Sequence, residues 1–527
     1  MSSQTLVQNV AVGDKIIFSY GVIPRRPFTG AQFRFTVSAS TTGAASLTIF
    51  SAHFNPEDTS GWINHTLALD QFAKQKLTFH FSAESLDDTG HVLNRNPSEC
   101  AWGGVRVGTF ARRKNEMNLI LISLDTLRAD HLGINGYDRD TSPNIDALAR
   151  GGIHFKGAIT TCPWTIPAHR SMLTGLLPSA QQSFFAAGTR PIETLAPAKR
   201  VLTETLYLNG YRTLAFTGGV LMAAEYDFFR GFEQYSEHGQ PFDSDFNVAS
   251  ALQWLDDNSH DKFFLFLHTY EAHWPYVHEH YHDMKESATP IERTIAGYDS
   301  GIHHADECIG KLIEKLKELN LTDHTIVIFT SDHGEELMER TQFGHSTTLY
   351  DELLRVPLIF YCPAKFKPRV VDRYQAQPTC LVPTVLDLLG LHAAQGKNKS
   401  IKSILLGGAV PSESFAMSNR ELEDIAFFPP RPFDDSQSLR YVGSSGSFKY
   451  IFMRSTDTAR STSQEYYDLD KDPHELHNLP KQSHAVLGQL EELSHDALSK
   501  SANTGGPRTA PIMIDPELRE KMRALGY

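Results

Sequence analysis

The sequence predicts an α/β protein, a largely parallel sheet flanked by helices, with an N-terminal β-sandwich before it and a small C-terminal α+β subdomain after it. Three observations carry this prediction. The first hundred or so residues hold short, partly alternating apolar runs separated by Gly, Ser, Thr and Asn clusters, the pattern of antiparallel strands with one wet face. From about residue 117 the runs become continuous, as in Leu-Ile-Leu-Ile at 119–122, Phe-Phe-Leu-Phe-Leu at 263–267 and Ile-Val-Ile-Phe at 326–329. Continuous runs suit strands buried on both faces. Amphipathic stretches at 144–150, 203–209 and 305–319 interleave with strand-like runs such as 211–216, and that alternation implies a sheet covered by helices on both sides.

In chain order, the sandwich is expected over 1–111, with strands near 15–20, 32–37, 46–50, 76–81 and 104–108. Trp62, the stretch Thr-Leu-Ala-Leu-Asp-Gln-Phe-Ala-Lys-Gln-Lys-Leu-Thr-Phe-His-Phe and the closing Ala-Trp-Gly-Gly-Val-Arg-Val-Gly resemble a galactose-binding-like jelly roll. Such modules bind sugars or brace a neighbouring domain, and bracing is the expectation here. Arg112–Glu116 reads as a linker, 117–430 as the catalytic α/β domain and 431–500 as the C-terminal subdomain. Residues 501–527 read as an extended tail with a short helix, of the kind that clasps a neighbouring copy in a homo-oligomer.

Composition narrows the function classes. The 527 residues are 41% hydrophobic and 21% charged, ample for more than one core. A net charge of −13 without a basic stripe argues against nucleic acid as partner. No apolar run reaches membrane-spanning length and the N-terminus lacks a basic, apolar leader, so a cytoplasmic protein without a membrane partner is expected. Five scattered cysteines in no metal-binding spacing agree with a reducing compartment.

The chemistry concentrates where apolar runs end. Asp125 follows the first, His268, Glu271 and His273 follow the second, and Thr330-Ser331-Asp332-His333-Gly334-Glu335 follows the third. Ligand sites of open α/β sheets lie at the carboxyl ends of strands. A fourth segment, Thr-Ile-Pro-Ala-His-Arg-Ser-Met-Leu-Thr-Gly at 165–175, reads by itself as a helix start with Thr165 as N-cap and Pro167 in the first turn. Three apolar runs each ending in ligand-type residues, together with the Thr165 segment, form a constellation.

The strings DTLRADHLG, SPNIDALARGGIHF, TIPAHRSMLTGLLP, FTSDHGEE, FGHS with YDELLRVPLIFYCP, and YYDLDKDPHELHNL resemble, in order, the sulfatase-like family of the alkaline phosphatase superfamily over about 117–480. Within it the chain is most similar to a branch with a Thr nucleophile, the phosphonate monoester hydrolases and phosphodiesterases. That resemblance implies an alkaline-phosphatase-like fold, one divalent ion (Mn²⁺, Zn²⁺ or Ca²⁺) on Asp125, Thr165, Asp332 and His333, and no second ion, Glu271 being the alternative ligand for one. It implies catalytic roles for Thr165, His273 and His345, and places Thr126, His169 and Arg170 around the substrate. Thr126 stands where sulfatases usually have a second Asp, His333 where many have Asn, and Thr165 where they have the Cys or Ser that becomes formylglycine. Cys162 lacks the downstream Pro and Arg of that motif and reads as a bystander; Arg128 and Asp130 read as a structural ion pair. The expected activity is metal-dependent hydrolysis of a phosphate ester, a diester or phosphonate monoester, on a small-molecule or glycan-type substrate. Alternatives are a sulfuric ester hydrolase working without formylglycine and a soluble phospho-headgroup transferase. Specificity is expected in 181–200, 276–293 and 421–438.

Overall fold

The computed structural model describes residues 3–22, 32–42, 44–54, 62–86, 91–95, 100–181, 195, 199–237, 241–278, 289–340, 342–346, 348–391, 399–421, 435–454 and 463–501. The chain divides into two units: Met1–Arg113 with Gly210–Arg212, and Lys114–Asn209 with Thr213–Tyr527.

The first unit holds β1 (Ser3–Asn9), β2 (Lys15–Val22), β3 (Gln32–Ser40), β4 (Leu47–Phe54), β5 (Trp62–Ala68), β6 (Lys76–Leu86), β7 (Val92–Arg95) and β8 (Cys100–Gly108). One sheet has the order β1-β6-β3-β4 with β7 beside β6, and the other has the order β5-β2-β8. Alternation decides what is buried: Phe33, Phe35, Val37 and Ala39 of β3 point inward, as do Leu77, Phe79, Phe81 and Ala83 of β6 and Ile16, Phe18 and Tyr20 of β2. Their rings pack closely, Tyr20 to Phe35 at 4.8 Å and Phe18 to Phe50 at 5.1 Å between centroids. All five expected strands are present and run longer than their apolar cores. The strand β1 escaped the reading because its sequence, Ser-Gln-Thr-Leu-Val-Gln-Asn, is mostly polar.

The second unit is built on β9 (Asn118–Leu124), β10 (Ile153–Phe155), β11 (Arg212–Thr217), β12 (Gln234–Glu237), β13 (Phe263–Thr269), β14 (Thr325–Thr330), a small ribbon of β15 (Glu336–Leu337) and β16 (Phe343–Gly344), β17 (Leu358–Tyr361) and β18 (Arg369–Val371). The large sheet runs β12-β11-β13-β9-β14-β17-β10-β18. At its centre β13 and β14 lie parallel to β9 on either side, and every residue of these three strands is buried. The sheet is mixed toward one edge, where β17 runs antiparallel to both β14 and β10. The helices are α1 (Pro143–Gly151), α2 (Thr165–Thr174), α3 (Pro178–Gln181), α4 (Leu202–Leu208), α5 (Ser244–Asn258), α6 (Pro290–Glu318), α7 (Asp351–Leu354), α8 (Leu381–Leu389), α9 (Lys402–Leu405) and α10 (Ala485–Ser501). The long α6 begins 15 residues before the stretch expected from periodicity, where Thr289 caps it with Glu292 in a reciprocal capping box.

Downstream, β19 (Ser414–Glu421), β20 (Asp435–Gly443), β21 (Gly446–Arg454) and β22 (Ser463–Asp468) form an antiparallel meander. Helix α10 lays Val486, Leu487 and Leu490 against its Leu439, Phe448, Tyr450 and Tyr466. The buried Lys449 ammonium sits between Asp351 at 2.9 Å and Glu475 at 2.6 Å, as a buried cation requires. Among the described residues no helix is long and apolar enough to cross a membrane. The expected tail at 502–527 and most of the three expected specificity segments, 182–194, 279–288 and 422–434, lie outside the described residues.

Candidate active site

Parallel pairing brings the ligand-type residues together. Because β13, β9 and β14 are neighbours running in one direction, with Thr330 level with Ser123 and Thr269 level with Leu124, their carboxyl ends open at one place. Adjacent strands are about 4.8 Å apart, so side chains just past those ends meet. Asp125, Asp332 and His333 each present a ligand atom within 4.8 Å of the others, and all three are fully buried. Thr165 is the first residue of α2, after Trp164 in an extended N-cap conformation. Its hydroxyl Oγ1 lies 3.5 Å from Asp125 Oδ2 and 3.3 Å from His333 Nε2. The N-terminus of a helix favours developing negative charge at that oxygen.

The electrostatics of this group call for a cation. Burial, then the charge of Asp332, pushes the Asp125 carboxyl well above the usual carboxylate range. Burial opposes ionisation of Asp332 too, but His333, His169 and His268 around it hold its carboxyl below the ordinary value. Burial also works against a charged His333, and the two carboxylates outweigh it and raise its pKa. Asp125 Oδ1 and Asp332 Oδ2 carry no hydrogen bond among the described residues, whereas Asp332 Oδ1 accepts from the amides of His333 at 2.9 Å and Thr126 at 3.3 Å. His333 Nδ1 donates to the Gly334 carbonyl at 2.9 Å, which turns Nε2 toward the carboxylates. Two buried carboxylate oxygens without hydrogen bonds, an oriented imidazole and a hydroxyl are a donor set that fits one divalent ion. Gly334 lets the ligand loop pack down: a Cβ there would fall 2.0 Å from the Glu352 carbonyl oxygen.

Two more histidines flank the centre. The His345 ring lies 4.6 Å from His333 and 5.0 Å from His273, centroid to centroid. His345 Nδ1 pairs with Glu335 Oε1 at 2.9 Å, and burial pushes the Glu335 carboxyl up to about 7. His273 Nδ1 donates to the Trp274 carbonyl at 2.6 Å, and burial with His345 nearby brings its pKa down to about 4.

The three residues expected around the substrate are placed differently from one another. Thr126, with a left-handed backbone (φ 59°), donates its hydroxyl to the Ala272 carbonyl at 2.8 Å, while its amide braces Asp332. His169 lies one helical turn beyond Thr165. Its Nδ1 donates to the Thr165 carbonyl at 2.9 Å and its Nε2 accepts from Ser123 Oγ at 3.0 Å, with burial taking its pKa down to about 3. Both ring nitrogens are thus engaged in tying α2 to β9. Arg170 is buried, donates to the Tyr226 carbonyl at 3.2 Å, and lines a cavity with Tyr226, Asp227 and Phe228. Glu271 stands apart from the Asp125 group, its Oε1 accepting from the Ser244 amide at 2.7 Å. Cys162 is a buried thiol ahead of α2, and Arg128 and Asp130 do pair, at 2.8 Å.

The sequence names two further residues of this neighbourhood without giving them a role. His268, the sixth residue of β13, brings Nε2 within 3.3 Å of Asp125 Oδ2, and burial lowers its pKa to about 4. Glu335 stands behind His345. The signal for His268 was available, an imidazole inside an apolar strand beside a ligand strand; no local signal pairs Glu335 with a residue ten positions later.

The sulfatase family model matches residues 117–391, just over half of the chain. The delta 4,5-hexuronate-2-O-sulfatase of Bacteroides thetaiotaomicron is 23% identical over 474 residues, covering 78% of this chain and 94% of its own. Arylsulfatase A of Homo sapiens is 24% identical over 487 residues, covering 76% and 92%. The multifunctional alkaline phosphatase superfamily protein PehA of Trinickia caryophylli is 24% identical over 477 residues, covering 69% and 91%. Among solved structures, yidJ of Bacteroides fragilis superposes with a TM-score of 0.62 at 20% identity, covering 78% of this chain and 99% of its own, which shows a common fold.

Proposed function

The chain belongs to the sulfatase family of the alkaline phosphatase superfamily, a family of hydrolases, and from that premise we propose that it is a metal-dependent hydrolase of sulfuric esters that uses Thr165 directly, without formylglycine. The observation that carries this reading is the Thr165 hydroxyl at a helix N-terminus, 3.5 Å from Asp125 Oδ2 and 3.3 Å from His333 Nε2. This ester class replaces the phosphate ester that the sequence favoured, because relatives acting as sulfatases support it more strongly.

Asp125, Asp332, His333 and Thr165 would hold one divalent ion, Mn²⁺, Zn²⁺ or Ca²⁺, which when bound supplies positive charge that favours ionisation of the hydroxyl. Asp125 Oδ2 is placed to take the proton from Thr165 Oγ1. That oxygen attacks sulfur, the S–O bond to the alcohol breaks, and the leaving oxygen takes a proton from His345, whose imidazolium Glu335 stabilises from behind. Water then attacks the sulfur, hydrogen sulfate leaves, Thr165 Oγ1 takes its proton back from Asp125, and the water's proton passes by way of His273 to His345, whose ring lies 5.0 Å away. His273, neutral near pH 7, is suited to accepting the proton of that water. A glycan-type or small-molecule substrate and a cytoplasmic setting belong to the same reading. The buried thiols Cys162, Cys308, Cys362 and Cys380 support that setting.

A second reading, hydrolysis of a phosphodiester or phosphonate monoester, is favoured by the identity of Thr165. An alkyl phosphate on threonine is open to in-line attack by water, while an alkyl sulfate lacks the facile elimination that an aldehyde hydrate provides. PehA is the relative that supports it. A panel of aryl and sugar sulfates, phosphodiesters, phosphomonoesters and phosphonate monoesters, run with metal-loaded protein, distinguishes the two. Accurate mass of the acid-quenched peptide containing Thr165 identifies a sulfo or a phospho adduct. Absence of turnover across the whole panel, or near-wild-type rates in Thr165→Ala, would sink both.

A further inference from the structure

Away from the strand-end centre, the segment after β13, the start of α5 and one face of α6 assemble a second group of ligand-type side chains. Glu271, His278 and His304 present ligand atoms within 4.8 Å of one another, and so do Asp245, His304 and Cys308. His304 joins the two triads, and Cys308 follows it by four residues on α6, so both project from one helix face. The His278 and His304 rings stack at 4.1 Å and 19°, an arrangement of two imidazoles that contributes little unless something binds both. Glu271, fully buried, makes a close contact with His278 Nε2 through Oε2. Cys308 Sγ is 3.9 Å from His304 Nε2, the nitrogen that also faces Asp245. Asp245 is already compensated by Lys311 at 2.8 Å, and its other oxygen lies 3.1 Å from His304 Nε2, a position from which it orients that ring.

We propose that Glu271, His278 and His304 form a second divalent-metal site of the zinc class, separate from the Asp125–Asp332–His333 centre. Two imidazoles and one carboxylate select a borderline ion such as Zn²⁺ over Mg²⁺ or Ca²⁺. The two groups share no residue, so this ion is structural. It clips the segment carrying His273, which lies between Glu271 and His278, to helix α6. The packing there is already tight, since a Cβ on Gly301 of α6 would fall 1.9 Å from the Glu271 carbonyl oxygen. The expected ion count thereby rises from the single ion of the sequence reading to two.

Elemental analysis of the full chain, stripped and reloaded with zinc alone, tests this. About two ions per chain are expected for the wild type, and about one each for His278→Gln/His304→Gln and for Asp125→Asn/Asp332→Asn. Circular dichroism verifies that each variant is folded. Loading with cobalt provides a second readout: visible absorption from cobalt held by imidazoles, reduced in His278→Gln/His304→Gln and unchanged in Cys308→Ser. A His278→Gln/His304→Gln protein that still binds as much zinc as the wild type overturns the site, as does a wild type whose only ion disappears in Asp125→Asn/Asp332→Asn. A cobalt spectrum that His278→Gln/His304→Gln leaves unchanged likewise overturns the site.

Discussion

The two ligand clusters of this protein are built in opposite ways. Asp125, Asp332 and His333 follow adjacent parallel strands, Thr165 begins a helix beside them, and all four are fully buried. Glu271, His278 and His304 come from one connecting segment and one helix face, and the His278 and His304 side chains remain 18% and 26% exposed. In the first cluster, backbone amides and carbonyls orient the ligands: the His333 and Thr126 amides on Asp332, and the Gly334 carbonyl on His333. In the second the ligands lean mainly on one another. Burial teaches why this matters. A carboxylate pair sealed from water is costly until a cation arrives, so the strand-end cluster is poised for chemistry, while the half-open cluster can be satisfied by ion pairing when empty.

The largest effect that would sharpen this contrast is at Thr165, the proposed nucleophile. Thr165→Ala should keep its fold and its metal through the other three ligands and lose turnover by roughly a thousandfold or more, with Thr165→Ser retaining measurable activity. Steady-state rates together with metal content read this out, and a loss of only a few fold would remove Thr165 from the chemistry. Next, Asp332→Asn should abolish both tight metal binding at the strand ends and activity, while zinc at the His304 cluster persists; loss of both ions together would show that the clusters are one unit.

Glu335→Gln should lower kcat by about tenfold to a hundredfold and flatten the alkaline limb of the pH–rate profile, because His345 loses its buried carboxylate partner. His304→Gln should leave kcat closer to wild type and lower Tm instead. If the two variants cost the same in kcat, the distinction between chemical and structural clusters fails.

The ion-free protein should show the burial of the strand-end histidines directly. Burial depresses His169 to about 3 and His268 and His273 to about 4. Their contribution is therefore fully present above the unfolded value near 6.5 and is lost as pH falls through about 4. Glu335 acts oppositely: with its pKa raised to about 7, its contribution is present below about 4.5 and is lost as pH rises through about 7. Urea titrations from pH 8 to pH 4 should show stability falling on the acid side, with a shallower fall in His268→Gln. An unchanged slope would mean that His268 is hydrated.

The smallest effect concerns packing between the clusters. Gly301→Ala forces α6 away from the Glu271 carbonyl and should cost about 1–3 kcal/mol in thermal or urea unfolding, with weakened zinc binding at His304. A neutral substitution would mean that the segment yields easily and the clip is not needed.

Composition and periodicity were enough to separate an alternating, antiparallel N-terminal unit from a continuous-run α/β unit, because burial on one face or two writes itself directly into side-chain order. Strand ends and a helix start also singled out the segments that hold Asp125, Thr165, Asp332 and His333, and the family resemblance made those residues candidate ligands. Only tertiary structure decided the rest. The reversed strand β17, the approach of His268 to Asp125, and Glu335 behind His345 depend on which strands pair and how the ligand loop turns back on itself. The same holds for the hydroxyl of Thr126, which a positive φ turns onto the Ala272 carbonyl, and for Glu271 and His304, 33 positions apart, meeting across a helix face. Sequence order records what a residue's own backbone neighbourhood wants; it does not record which distant surface folding lays against it.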